Sequence, residues 1–201
     1  MKFLTLEGVD GAGKSSHIEF IADAVRASSG AHVIVTREPG GTDLAEQIRS
    51  TVLSERLSPD LETLYVFTAR ADHVARVIRP ALDSGQVVIC DRFTDSTVAY
   101  QGAGNGADPK LIARLAEACH PGLKPSRTLV FDCPYEVAAA RLAKSGRKLD
   151  RFEREDRAFF ERVRGAYLAL AKSEPGRIRL IDASRDASAV REQVKSALAG
   201  F

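Results

Sequence analysis

The sequence predicts a single α/β domain, residues 1–201, in which a five-stranded parallel sheet carries helices on both faces. Three observations predict it. Short apolar runs alternate with stretches of helical period from one end of the chain to the other, as they do when each strand is followed by a covering helix. The first run leads straight into Gly8-Val9-Asp10-Gly11-Ala12-Gly13-Lys14-Ser15, the glycine-rich turn that joins a strand to a helix around a phosphate. Finally, 201 residues, 44% of them hydrophobic, suffice for one well-filled core, and no repeat, low-complexity tract or linker divides them.

The elements follow in order. Phe3 to Leu6 is the first strand, and the glycines after it let the backbone curl until successive N–H groups point at an anion. A helix then starts near Lys14 and adds its positive end. Its stripe is Ile18, Ile21, Ala22 and Val25, with Gly30 where a C-terminal cap belongs. His32 to Thr36, Val87 to Cys90, Thr128 to Phe131 and Ile178 to Ile181 are the other strands. Asp108-Pro109 opens a helix with a capping residue and a proline at its first position, and another opens at Pro134. Phe159, Val163, Ala166 and Leu170 mark a long amphipathic helix; Val190, Val194 and Leu198 mark the last.

Composition excludes several classes. A net charge of +2 gives no surface for nucleic acid. No membrane-spanning or leader-like segment is present, and the cysteines Cys90, Cys119 and Cys133 lack metal-like spacing, so a reduced cytoplasmic protein is expected. Cys119-His120 has no second pair to complete a metal site.

Three stretches resist the alternation: Arg37 to Thr42, Gly102 to Asp108 and Lys144 to Glu155. The last is charged and reads either as a solvated turn or as a mobile basic lid over a phosphate site; the phosphate loop favours the lid. In the loop itself Lys14 is expected at the β/γ-phosphates of a nucleotide and Ser15 on Mg²⁺. Asp91-Arg92, at the end of an apolar strand, puts a carboxylate and a guanidinium where metal and phosphates meet. Ser96-Thr97-Val98-Ala99-Tyr100-Gln101-Gly102 offers hydroxyls, an amide and a ring within one or two helical turns, a set able to read a base edge and pack a sugar.

Together with Arg37-Glu38-Pro39-Gly40-Gly41-Thr42 and Leu149-Asp150-Arg151-Phe152-Glu153, these motifs closely resemble the bacterial thymidylate kinases, in family order and over nearly the whole chain. The resemblance implies the P-loop nucleoside-monophosphate kinase fold with a short basic lid at about 144–155. It implies Mg·ATP as donor, dTMP as acceptor, dTDP and ADP as products on the way to dTTP for DNA replication, and commonly a homodimer. The ATP-binding residues would be Gly8, Val9, Asp10, Gly11, Ala12, Gly13, Lys14, Ser15, Ser16 and Arg141, with Ser15 and Asp91 on the metal. Arg37, Arg49 and Arg92 resemble the residues that hold the acceptor phosphate, and Asp10 the carboxylate near its sugar. Glu38 belongs to the same acceptor motif; Arg70 resembles the base-reading arginine, Ser96, Thr97 and Gln101 the polar contacts to thymine, and Tyr100 the ring that crowds out a ribose 2′-OH.

Two positions depart from the family pattern. Relatives often carry a thymine-stacking Phe four residues before the base-reading arginine; Val66 stands there and Phe67 follows, so Phe67 is expected to substitute from roughly the Arg70 face of a helix. With no basic side chain inside the loop besides Lys14, the catalytic cations would be Lys14, Arg92 and the lid residues Arg147 and Lys144. Gly146-Arg147 reverses the usual order, and Arg147 is the better placed. The histidines His17, His32, His73 and His120 are expected to be structural or exposed. A GTPase switch is disfavoured because its guanine motif has only Arg147-Lys148-Leu149-Asp150 as a match, without an amide or a preceding strand. Lys14, Asp91 and Arg92 argue against a binding-only paralogue, and the Tyr100 block against a kinase for another acceptor.

Overall fold

The computed structural model describes residues 2–201. Its sheet contains β1 (Phe3–Gly8), β2 (Val33–Arg37), β3 (Val87–Asp91), β4 (Arg127–Asp132) and β5 (Ile178–Asp182) in the order β2-β3-β1-β4-β5, every pair parallel. Each strand ends one or two residues beyond its apolar run, so Glu7, Arg37, Asp91, Asp132 and Asp182 sit at the carboxyl end of the ladder. The chain crosses from β1 to the β2 edge and back to β4 on the other side, which places the reversal beside β1, where open parallel sheets bind ligands.

A tight turn over Lys14–His17 leads into α1 (Ile18–Ser29), which ends on Gly30 at φ 64°. Side-chain caps start α2 (Asp43–Ser54) at Thr42, α6 (Pro109–Cys119) at Asp108, α8 (Arg157–Ser173) at Asp156 and α9 (Ala187–Leu198) at Asp186, each satisfying a free N–H of the first turn. The helix α3 (Pro59–His73) widens into π turns over Val74–Ile78 and runs on into α4 (Arg79–Asp83). Helix α5 (Thr94–Thr97) likewise continues through π turns to Gly104, and α7 (Tyr135–Lys144) precedes the lid. The expected irregular stretch from Gly102 is therefore helical to Gly104. A Cβ on Gly104 would lie 2.6 Å from the Phe159 ring, so the glycine lets α8 press onto that turn.

Burial explains the layers. Leu4, Leu6 and Phe131 join Ile21, Ala22 and Val25 of α1 and Val190 and Val194 of α9 in the main core. Phe3, Val88 and Cys90 join Val74, Ile78 and Leu82 in a second core on the α3–α4 side. Gly8 closes β1 at φ 132° with its Cα so near β4 that a Cβ would meet the Phe131 carbonyl at 2.3 Å. That contact fixes where the phosphate loop leaves the sheet. Among the described residues no helix is long and apolar enough to cross a membrane.

Candidate active site

The loop after β1 turns on Gly11 (φ 80°) and Gly13 (φ 87°) and delivers Lys14 to a buried position, its Nζ donating to the Gly8 carbonyl at 3.2 Å. Burial, then the neighbouring Arg92, lowers the Lys14 pKa below the usual lysine value, while Asp91, Asp10 and Glu7 work the other way. Arg141 reaches over from α7, donating to Ala12 O at 3.3 Å and Ala183 O at 2.8 Å, and thereby ties the loop to the turn after β5. Gly13, Ser16, His17, Arg141 and Arg185 border the cavity enclosed there. His17 Nδ1 is buried with no partner among the described residues.

Ser15 and Asp91 border one cleft, on the β2–β3 side of the loop. Asp91 Oδ1 is buried and unpartnered, and a hard-cation site needs such a carboxylate oxygen beside a hydroxyl. The donor set fits Mg²⁺. Arg37 borders this same cleft rather than the neighbouring one with Arg49 and Arg92, because both oxygens of Glu46 hold its Nη2, at 2.9 and 2.8 Å.

Arg92 is the one non-glycine residue with a left-handed backbone among those described (φ 73°). That turn aims its guanidinium back over the loop. Its Nη1 donates to Gly8 O (2.9 Å), Ser96 Oγ (3.2 Å) and Tyr167 Oη (3.2 Å), and its Nη2 to Asp10 Oδ1 (2.5 Å) and Tyr100 Oη (3.1 Å). Tyr100 in turn donates to Asp10 Oδ2 at 2.8 Å. Burial alone would raise the Asp10 pKa, but Arg92, Lys14 and the Tyr100 hydroxyl outweigh it and hold the carboxyl below its ordinary value. Behind this group lies Glu7, which sequence reasoning missed. It accepts from Phe93 N–H (2.8 Å), Ser96 Oγ (2.5 Å) and Tyr167 Oη (3.1 Å). A carboxylate interrupting a buried strand just before the loop was the available signal.

The second cleft is lined by Asp10, Arg49, Arg92, Ser96, Thr97, Tyr100 and Gln101, with Glu38, Val66, Arg70, Phe93 and Phe152. Arg49 Nη1 donates to Pro39 O at 3.0 Å. Glu38 accepts from Arg70 Nε at 2.6 Å and bonds His73 Nδ1 at 2.9 Å, a buried chain that Thr36 Oγ1 extends to His73 Nε2 at 2.7 Å. Burial opposes ionisation of Glu38, yet Arg70 and His73 overcome it and lower its pKa. Arg70 Nη1 and Thr97 Oγ1 are buried without partners among the described residues.

The expectation for Phe67 is corrected. Its ring stacks on His120 at 6.3 Å and packs with Ala107 and Ile112, outside the cleft, whereas Val66 borders it. Val66 and Arg70 are one helical turn apart and share a face; Phe67, about 100° further round, faces α6. The rings that border the cleft are Phe93, Tyr100 and Phe152, the last edge-on to Tyr100 at 5.5 Å. Phe152 was not anticipated. A larger apolar hollow of about 300 Å³ under the lid, against α7 and α8, shares Asp10, Tyr100 and Phe152 with this cleft.

The lid spans the residues between α7 and α8. Arg147 grips Glu153 with both terminal nitrogens, Asp150 and Glu153 exchange backbone-to-carboxylate bonds at 2.9 and 3.0 Å, and Arg151 pairs with the buried Glu62 of α3. Lys144 is exposed and makes no side-chain bond to a described residue. The Arg147–Asp150 run lies inside this lid and follows a helix, not a strand.

A family model described as thymidylate kinase matches residues 6–194. The chain is similar to the thymidylate kinase of Bordetella petrii, 54% identical over 197 residues that cover 98% of this chain and 94% of that protein. It is also similar to that of Pseudomonas savastanoi pv. phaseolicola, 52% identical over 199 residues, covering 98% and 94%. The crystal structure of thymidylate kinase from Ehrlichia chaffeensis superimposes with a TM-score of 0.80 at 32% identity, covering 98% of both chains.

Burial, then the nearby Asp95, pushes the Glu7 pKa from 4.5 up to about 7, against the hydrogen bond from Ser96 and the charge of Arg92. A carboxyl that holds its proton more tightly when folded stabilises the fold fully below its unfolded pKa and loses that contribution as pH rises through the folded one. The stability of the wild type relative to Glu7→Gln should therefore fall between about pH 4.5 and 7 and then level off. Denaturant titrations across that range measure it, and a difference that is flat or rises with pH refutes it.

Proposed function

We propose, from the premise that the chain belongs to the thymidylate kinase family and transfers a phosphoryl group from ATP to dTMP to give dTDP, how its residues divide that reaction. One observation carries the division. The cleft beside the phosphate loop combines two arginines, Arg49 and Arg92, with two buried donors that have no partner among the described residues, Arg70 Nη1 and Thr97 Oγ1. Phosphate at one set and a pyrimidine edge at the other satisfy both.

In this reading dTMP lies in the cleft with its phosphate toward Arg92 and Arg49, and Arg37 joins when it exchanges Glu46 for phosphate. Arg70, Ser96, Thr97 and Gln101 face the base. Tyr100 is clamped between Asp10, Arg92 and the Phe152 and Phe159 rings, so it cannot yield to a 2′-hydroxyl. ATP takes the loop, with Lys14 at its phosphates and Arg141 toward its nucleoside. Ser15 and Asp91 would hold Mg²⁺, which when bound with ATP neutralises charge on the β- and γ-phosphates. The acceptor needs no general base, because a phosphate monoester with a second pKa of about 6 is already largely dianionic at neutral pH. The remaining task is electrostatic: Lys14 and Arg92 bring two polyanions together, and Arg147 adds a positive charge once it leaves Glu153.

Three thiols are free, which suits the reducing cytoplasm, and the exposed Leu61 and Leu64 on one face of α3, each more than 40% accessible, suit a homodimer contact.

The reading is tested by kcat/KM for dTMP against UMP at fixed Mg·ATP. A preference of about 10²-fold or more is expected, since a rigid wall rejects added bulk, and comparable values would move the chain to another acceptor. Arg147→Ala should lower kcat by roughly 10²-fold with little change in the KM for dTMP, as for an interaction made only in the transition state. Lys144→Ala is the control, and a large loss there instead would shift the lid register. Leu64→Asp should convert a dimer into a 21.8 kDa monomer by light scattering, and a wild type already monomeric at micromolar concentration contradicts the dimer.

A further inference from the structure

Glu62 is fully buried on the first turn of α3, and the mechanism above does not use it. Its Oε1 accepts from Gln101 Nε2 at 2.7 Å and Asn105 Nδ2 at 2.8 Å; its Oε2 is paired with Arg151, whose guanidinium also donates to Val52 O at 3.3 and 3.2 Å. A carboxylate has no proton to give, so only the NH₂ end of a carboxamide can face it. The orientation of Gln101 is therefore dictated, and the other end of its amide, Oε1, receives no hydrogen bond from any described residue. Gln101 is 4% exposed and borders the acceptor cleft, so this oxygen is the group it can offer a ligand.

We propose that Glu62, charge-paired to Arg151 of the lid, is a positioning residue that turns the acceptor end of Gln101 toward the pyrimidine and so makes the pocket choose thymine over cytosine. This rests on the placement of dTMP in the cleft given above. Thymine presents an N3–H donor next to its O4 acceptor, complementary to Gln101 Oε1 and the unpartnered Arg70 Nη1. Cytosine presents a bare N3 and an amino donor, so both of its groups meet their like. A freely flipping Gln101 would meet N3 of either base and leave the discrimination to Arg70 alone. Held by Glu62 it serves one. Because Arg151 belongs to the lid, the same ion pair ties base selection to the seating of that segment on α3.

The experiment compares kcat/KM for dTMP and dCMP at fixed Mg·ATP in the wild type, Glu62→Gln, Glu62→Asp and Gln101→Leu, each checked for cooperative thermal unfolding. Glu62→Gln lets the Gln101 amide face its neighbour either way, and Glu62→Asp withdraws the carboxylate; either should cut the dTMP:dCMP ratio about tenfold or more, with the KM for ATP within about twofold. A purely structural role would lower both substrates together. If Gln101→Leu loses selection while the folded Glu62 variants keep it, Glu62 does not orient the amide although dTMP occupies the cleft. If Gln101→Leu also keeps it, Gln101 does not read the base, and the placement on which the proposal rests falls with it.

Discussion

The ion pair between Arg92 and Asp10 is the contact through which the rest of the site is assembled. Asp10 belongs to the phosphate loop and Arg92 to the end of β3, and the pair forms only because Arg92 accepts a left-handed backbone that L-residues avoid at a cost of roughly 1–3 kcal/mol. In return one guanidinium touches the loop carbonyl of Gly8, the start of α5 through Ser96, the π-turn segment through Tyr100 and α8 through Tyr167. The two terminal nitrogens of one planar group reach five neighbours at once, Asp10 included, which the single nitrogen of a lysine could not do.

The buried polar groups of the interior sort into two kinds. Glu7, Glu38 and Glu62 are buried carboxylates whose oxygens all have partners, and each holds by a hydrogen bond a residue that borders the second cleft: Ser96, Arg70 and Gln101 in turn, Glu38 bordering that cleft itself. Among the described residues, the five buried side-chain atoms without partners are His17 Nδ1, Arg70 Nη1, Asp91 Oδ1, Thr97 Oγ1 and Arg127 Nε. Four of these belong to residues lining the loop cavity or the two clefts, so unsatisfied hydrogen bonding is concentrated where ligands are proposed to bind.

Much of the strand framework was legible because a parallel strand buried on both faces is a plain apolar run. Its carboxyl ends were not, since they are polar and the hydropathy signal stops before the ladder does. Helix α3 was legible only around Phe67 and Arg70: on its buried face Glu62, Thr63, Arg70 and His73 stand among Val66, Phe67 and Ala69 and break up the apolar stripe. The site motifs Gly8–Ser15 and Asp91-Arg92 needed only local spacing. Phe67 and Arg37 needed more: the first turns on which side of a helix faces α6, the second on Glu46, a partner nine residues away. Glu62 and Arg151 meet across 89 positions, a distance over which single-sequence spacing carries no information.

Phe152 borders both the cleft proposed for dTMP and the larger hollow beneath the lid, with Tyr100 and Asp10 completing the partition. Two chambers that share a wall one side chain thick, made of three residues, cannot be enlarged independently. A molecule that wedges into the hollow would push the ring into the second cleft, and so would close the space proposed for dTMP without resembling a nucleotide.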